Sequence, residues 1–293
     1  MNPDKTTQNQ SKIQNPKSKI QRVCLTIAGL DPSGGAGIVA DIKTFTAFGC
    51  FATSVIASIT FQNTTGVFGA IHQTADSIRR QFEPIIEDFT VSALKTGMLP
   101  TREVIEEVTR LVKKNELKNF VVDPVVRSTS GFDLIDDQAL KSLVEKLFPL
   151  SEVVTPNLPE AERITNLKIE DESDIERAAR IMQSFGAKNV LIKGGHLLSS
   201  KSKVQSPKTA KDFLFVGDEL HIVEAGFIET NATHGTGCTL AAAIAANLAL
   251  GKSLFEAVEA AKKFVTEAIK TAPNLGKGHS PIGIGSKLVV SEQ

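Results

Sequence analysis

Short β-branched runs alternate with amphipathic stretches along most of the chain. VCLTIAG (23–29) reads as a strand, and 37–48 reads as a helix with Ile38, Ile42, Phe45 and Phe48 on one face and Gly49 as its stop. Further strands are expected at 52–60, 92–98, 119–126, 152–157 and 189–195. Between them, 101–113 carries Val104, Ile105, Val108, Leu111 and Val112 as an apolar helical stripe. In 173–185 a capping box of Ser173 and Glu176 precedes Ile175, Ala179, Met182 and Phe185, and Gly186 ends the helix.

Alternation of this kind predicts an α/β fold: a mainly parallel sheet with helices on both faces. The stretch 212–225 breaks it, since two short strands flank Gly217-Asp218, the pattern of an antiparallel hairpin. Residues 199–211 read as a polar surface loop, and 1–21 as a polar, disordered tail. With no dividing linker, 22–293 reads as one domain.

Composition narrows the function classes. Lys plus Arg and Asp plus Glu are both 33, so no net charge draws the chain to nucleic acid or an anionic membrane. The longest apolar stretch, about 239–250, is short of the ~20 residues that cross a bilayer. Cys24, Cys50 and Cys238 lie far apart without a C-x-x-C pair, which fits a reducing cytoplasm and disfavours zinc. The N-terminus has no apolar core of a secretory signal.

Candidate chemistry clusters in glycine loops and at strand ends. Gly35 to Ala40 matches the spacing of a dinucleotide fingerprint, but the turn from Gly29 is too long and no acid follows to hold a ribose. Gly251-Lys252-Ser253 resembles the tail of a Walker motif, yet Ala246 stands where its first glycine belongs. AGLDPSGGAG (28–37) is richer, because small residues let a ligand approach the backbone at a coming helix start. Asp41 shares the core-facing stripe of that helix and therefore needs a partner. NATHGTGC (231–238) feeds an alanine-rich helix, and its Gly235, Thr236 and Gly237 form a nest of N–H groups at a positive helix end. Asp123 and Glu160 could organise Mg2+, and Asn157 and Lys193 could hold phosphate, all at expected strand ends. His234 could act as a base or serve equally as a hydrogen-bonding loop residue, His196 and His279 have no metal spacing, and none of the three is assigned chemistry.

TIAGLDPSGGAG, FQNTTG (61–66), KTGML (95–99), TPNLPEAE (155–162), KGGH and THGTGCTLAAA occur in this order. Together they resemble the hydroxymethylpyrimidine/phosphomethylpyrimidine kinases of thiamine biosynthesis, in the ribokinase-like superfamily, over about 22–284. The resemblance implies a three-layer α/β/α fold and an ATP- and Mg2+-dependent kinase, usually a homodimer. It implies two successive reactions, on the hydroxymethyl group of 4-amino-5-hydroxymethyl-2-methylpyrimidine and then on the resulting monophosphate.

The family's pyrimidine-site positions fall on Gly29, Ala36, Gln62, Met98 and Val125, with Asp31 and Asp41 near them. Gln62 can donate and accept at an aminopyrimidine edge, and Met98 supplies an adaptable apolar wall. ATP and Mg2+ fall near Asp123, Asn157, Glu160, Lys193, Thr233 and the following loop, with Lys262 at a further phosphate position. GKGHSPIGIG (276–285) departs from the family's usual glycine-rich ending. Two other readings stay open here: a pyridoxal-type kinase, and a non-catalytic pyrimidine-binding sensor.

Cys238 ends the loop where many sugar kinases of the superfamily carry Asp as a base. A helix N-terminus can lower a thiol's pKa, and an incoming phosphate opposes that shift. A neutral thiol would not repel an acceptor that is itself a phosphate, so Cys238 is expected to serve both steps as a compact, conditionally charged group.

Overall fold

The structure, a computed structural model, describes residues 22–126, 134–195 and 209–285. The tail at 1–21 and His196 lie outside the described residues, as does the expected loop up to residue 208.

The strands are β1 (Val23–Leu30), β2 (Phe51–Asn63), β3 (Gly66–His72), β4 (Val91–Thr96), β5 (Phe120–Val122), β6 (Val153–Val154), β7 (Asn189–Gly195), β8 (Thr209–Val216) and β9 (Glu219–Gly226). They form one sheet in the order β3-β2-β1-β4-β5-β6-β7-β8-β9. The ladder is parallel from β2 through β7 and antiparallel at β3 and at β8 and β9.

The helices are α1 (Gly37–Ala47), α2 (Ala75–Asp88), α3 (Arg102–Lys114), α4 (Asp137–Ser142), α5 (Leu158–Thr165), α6 (Glu172–Ser184), α7 (Thr236–Ala249) and α8 (Leu254–Lys270). They divide into two layers because successive strand residues point to opposite faces. Leu25, Ile27 and Leu94 pack with α2, α3 and α6 on one face, whereas Cys24 and Ala93 pack with α1, α7 and α8 on the other. Residues Leu240 to Ala249 of α7 are all buried, as a helix apolar on every side must be. This is the expected three-layer arrangement.

Several local expectations need correction. Ile42 of α1 is exposed, and the buried face is Ile38, Asp41 and Phe45 with Phe48 half-buried. The strand expected at 119–126 stops at Val122, because Pro124 has no N–H to continue a ladder. The expected strand at 152–157 shrinks to Val153–Val154, since Asn157 already caps α5. The α6 cap is Asp171, whose carboxylate accepts from the Ser173 and Asp174 N–H groups. An aspartate two residues upstream caps as well as a serine, which displaces the expected Ser173–Glu176 box. Residues 209–211, expected in a loop, are strand, because Thr209, Ala210 and Lys211 pair with Gly226, Ala225 and Glu224. The hairpin turn at Gly217-Asp218 stands as expected, with Gly217 left-handed at φ 56°.

The chain leaves β1 toward β2 on one side and later returns to place β4 on the other. That reversal opens a crevice at the carboxyl ends of β1 and β4, where open α/β sheets bind ligands.

Candidate active site

A cavity of about 520 Å3 occupies this crevice. It is lined by Gly29, Ala36, Gln62, Met98 and Val125, by Lys193, Asp212 and Lys262, and by Gly235, Thr236, Gly237 and Cys238. Apart from Asp212, which the sequence did not mark, these are all expected site residues, and Asp31, Asp123, Asn157, Glu160 and Thr233 line the same cavity. Asp41 does not line it and lies wholly buried beneath.

The loop before α7 is shaped by Gly235, which is left-handed at φ 84°. A Cβ there would collide with the Gly35 carbonyl, so the two glycine loops touch only because neither has a side chain. No side chain caps α7, and its first-turn residues Thr236, Gly237 and Cys238 line the cavity, as a helix start that receives an anion does. Gly237 continues this opening: a Cβ on it would lie 3.3 Å from Lys193 Nζ.

Lys193, near the end of β7, donates to Asp123 Oδ1 at 2.9 Å, and Thr155 donates to the same oxygen at 3.1 Å. Asp123 Oδ2 is the oxygen toward Gly237. Burial acts against the Lys193 charge, but Asp123 and Glu160 outweigh it and hold the ammonium above its ordinary range. Asn157 and Glu160 form a capping box on α5: Asn157 Oδ1 accepts from the Glu160 N–H at 2.9 Å and Glu160 Oε2 from the Asn157 N–H at 2.8 Å. Burial pushes Glu160 up to about 7, with Lys193 pulling down and Asp123 pushing up. Lys262 donates to Asp212 Oδ2 at 2.8 Å.

Asp41's required partner is Lys95, which sequence reasoning did not single out. Lys95 donates to both Asp41 oxygens at 3.0 and 2.8 Å, and Thr26 donates to Asp41 Oδ2 at 2.7 Å. All three are buried. Thr26 and Lys95 are register partners on β1 and β4, on the face that α1 covers. Burial opposes the Lys95 charge, while Asp41 first and then Cys238 and Asp123 sustain it. A lysine in phase with Ala93 on a parallel strand was the available signal.

Cys238 lies above this pair and differs from the expected activated thiol. Burial pushes its pKa up to about 11, although the Lys95 ammonium and a hydrogen bond from the Gly37 N–H pull it down. At neutral pH the group is a thiol.

Asp31 and His234 were also underread. The Asp31 carboxylate accepts from the Ser33 N–H and hydroxyl at 2.8 and 2.7 Å, and from the Gly35 and Ala36 N–H groups at 3.2 and 2.9 Å. His234 Nε2 lies 2.8 Å from Asp31 Oδ2. Burial alone would raise Asp31; these donors outweigh it and hold it below its ordinary value. The cavity is also lined by Gly226, Phe227, Ile228, Val265 and Ile269, an apolar strip that the sequence did not mark.

Among the described residues no cluster of three or more His, Cys, Asp or Glu could hold a metal alone, and no helix is long and apolar enough to cross a membrane.

A family model described as phosphomethylpyrimidine kinase matches residues 31–283. A hydroxymethylpyrimidine/phosphomethylpyrimidine kinase of Haemophilus influenzae is 43% identical over 265 residues, covering 90% of this chain and 96% of that one. The crystal structure of a phosphomethylpyrimidine kinase from Clostridium difficile is 41% identical with a TM-score of 0.73, covering 85% of this chain and 100% of that one. An ADP complex of Bacillus subtilis pyridoxal kinase is 36% identical with a TM-score of 0.80, covering 91% and 98%.

Proposed function

The chain belongs to the phosphomethylpyrimidine kinase family, and from that premise we propose that it phosphorylates 4-amino-5-hydroxymethyl-2-methylpyrimidine and then its monophosphate, in thiamine biosynthesis. The carrying observation is that one cavity gathers an acceptor wall of Gln62 and Met98, Cys238 with the α7 start that no side chain caps, and Lys193, with Met98 against Gly29 and Lys193 against Gly237. Gln62 reads the aminopyrimidine edge, and Met98, packed over Gly29, covers its face.

ATP is the phosphate donor. The α7 N-terminus and Lys193 hold its phosphates and stabilise charge on the group in transfer, and the apolar strip by Phe227 takes its base. Mg2+ would be held by Asp123 and Glu160. Their buried carboxylate oxygens suit a hard cation that takes one or two protein ligands and completes its shell with phosphate and water. When bound, it neutralises phosphate charge during transfer. Phosphoryl transfer passes through a loose transition state, so placement and electrostatics carry most of the rate and a strong base is not required. The neutral Cys238 thiol fits that demand. Release of ADP with each acceptor in turn, at matched concentration, tests this reading.

The pyridoxal reading draws on fold similarity to pyridoxal kinases, whereas the family match and relatives such as the Haemophilus influenzae kinase favour the pyrimidine. We take residues 22–293 as one catalytic unit that works in the cytoplasm as a homodimer. Ile59 and Ile71 are register partners on β2 and β3, and with Phe61 they leave an exposed apolar face beside the acceptor wall. A second copy of the chain suits that face. Light scattering should give twice the 31.4 kDa chain mass, and Phe61→Glu should reduce it to the monomer; a monomeric native chain contradicts this.

A further inference from the structure

Two loops of different origin meet at the cavity. Residues 31–36 follow β1 and form the acceptor side; residues 233–237 precede α7 and form the phosphate side. His234 joins them through its ring, 2.8 Å from Asp31 Oδ2, and a Cβ on Gly35 would collide with that ring. An ionised carboxylate only accepts, so Nε2 carries the shared proton. The His234 N–H also donates to the Ser280 carbonyl at 3.2 Å. That places a third segment on the same residue, because the His279 N–H donates to the Thr64 carbonyl at 2.8 Å, at the tip of the β2–β3 hairpin. Asp31 is itself pinned by Ser33, Gly35 and Ala36. Among the described residues, His234 thus ties the phosphate loop directly to Asp31, a fixed point on the acceptor side.

We propose that His234 is a positioning residue, which holds the phosphate loop in register with the acceptor pocket through Asp31. It acts through the Gly235 to Gly237 backbone and does not touch the reacting atoms. The inference rests on the kinase reading above. Small displacements between reacting groups are costly: about 1 Å can cost on the order of 100-fold in rate. Losing the tie therefore lowers kcat more than it weakens binding at either end of the cavity.

The test compares the full native chain with His234→Gln and His234→Met, which match in length but differ in that only glutamine can donate to Asp31. With ATP, Mg2+ and the hydroxymethylpyrimidine, His234→Met is expected to lose about 10- to 100-fold in kcat, with KM for either substrate within about threefold of native. His234→Gln is expected to recover at least about half of that loss on a logarithmic scale. His234→Ala replaces the methionine variant should that one not fold. Equal kcat in the glutamine and methionine variants, or a loss expressed only in KM, overturns the inference. An inactive native chain overturns instead the kinase reading on which it rests.

Discussion

Replacing Lys95 with methionine is expected to lower the unfolding midpoint by on the order of 10 °C. The side chain is wholly buried, and both of its hydrogen bonds go to Asp41, which is equally buried. Removing one partner strands a carboxylate with only the Thr26 hydroxyl. Breaking a buried pair in this way typically costs about 3–5 kcal/mol, whereas replacing both partners by apolar groups is often nearly neutral. Lys95→Met combined with Asp41→Leu should therefore melt well above the single variant. Thermal unfolding followed by circular dichroism measures both. A single variant that melts within about 3 °C of native, or a double variant no more stable than the single, contradicts the assignment.

Cys238→Asp is expected to keep the first phosphorylation within about tenfold of native and to depress the second by about 100-fold or more. The thiol is neutral at physiological pH, because burial pushes it up to about 11. Aspartate at the same place starts from a far lower ordinary pKa than a thiol, so it stays ionised near neutrality even against burial, with the nearby Lys95 ammonium favouring its charge. Such a carboxylate can take the proton of a hydroxymethyl acceptor, and many kinases use one. Against a phosphomonoester it is a fixed like charge: at about 4 Å and an effective dielectric of 20, unit charges repel by roughly 4 kcal/mol. Rates with the hydroxymethylpyrimidine and with its monophosphate separate the two effects. Retention of the second reaction would remove the reason for a thiol in this loop.

Much of the architecture was legible because period-2 and period-3.6 patterns alternate clearly between 22 and 195. The misses have local causes. The hairpin arm formed by the end of β2 and by β3 reads poorly because its apolar residues, Ile59, Phe61 and Ile71, face outward and not into the core. Strands β5 and β6 were cut short by Pro124 and by the cap at Asn157, features visible in the sequence whose competition with β-branched runs is hard to weigh. At the site, loops and strand ends were legible because glycines and polar residues cluster there. Lys95 was not, since nothing in its neighbourhood states that it points inward at Asp41, 54 residues away. His234 and Asp31 lie 203 residues apart and meet only through the fold. The direction of the Cys238 pKa was also beyond the sequence: a helix N-terminus argues for a low value, and only the packed surroundings show that burial wins.

The most direct test is ADP release by the native chain with ATP and Mg2+, comparing the hydroxymethylpyrimidine, its monophosphate, pyridoxal and pyridoxine at matched concentrations. The account predicts turnover of both pyrimidines, at kcat/KM well above that of either B6 vitamer. Preference for pyridoxal with no turnover of the monophosphate would contradict it, and would leave a B6 kinase whose cysteine has no second acceptor to accommodate.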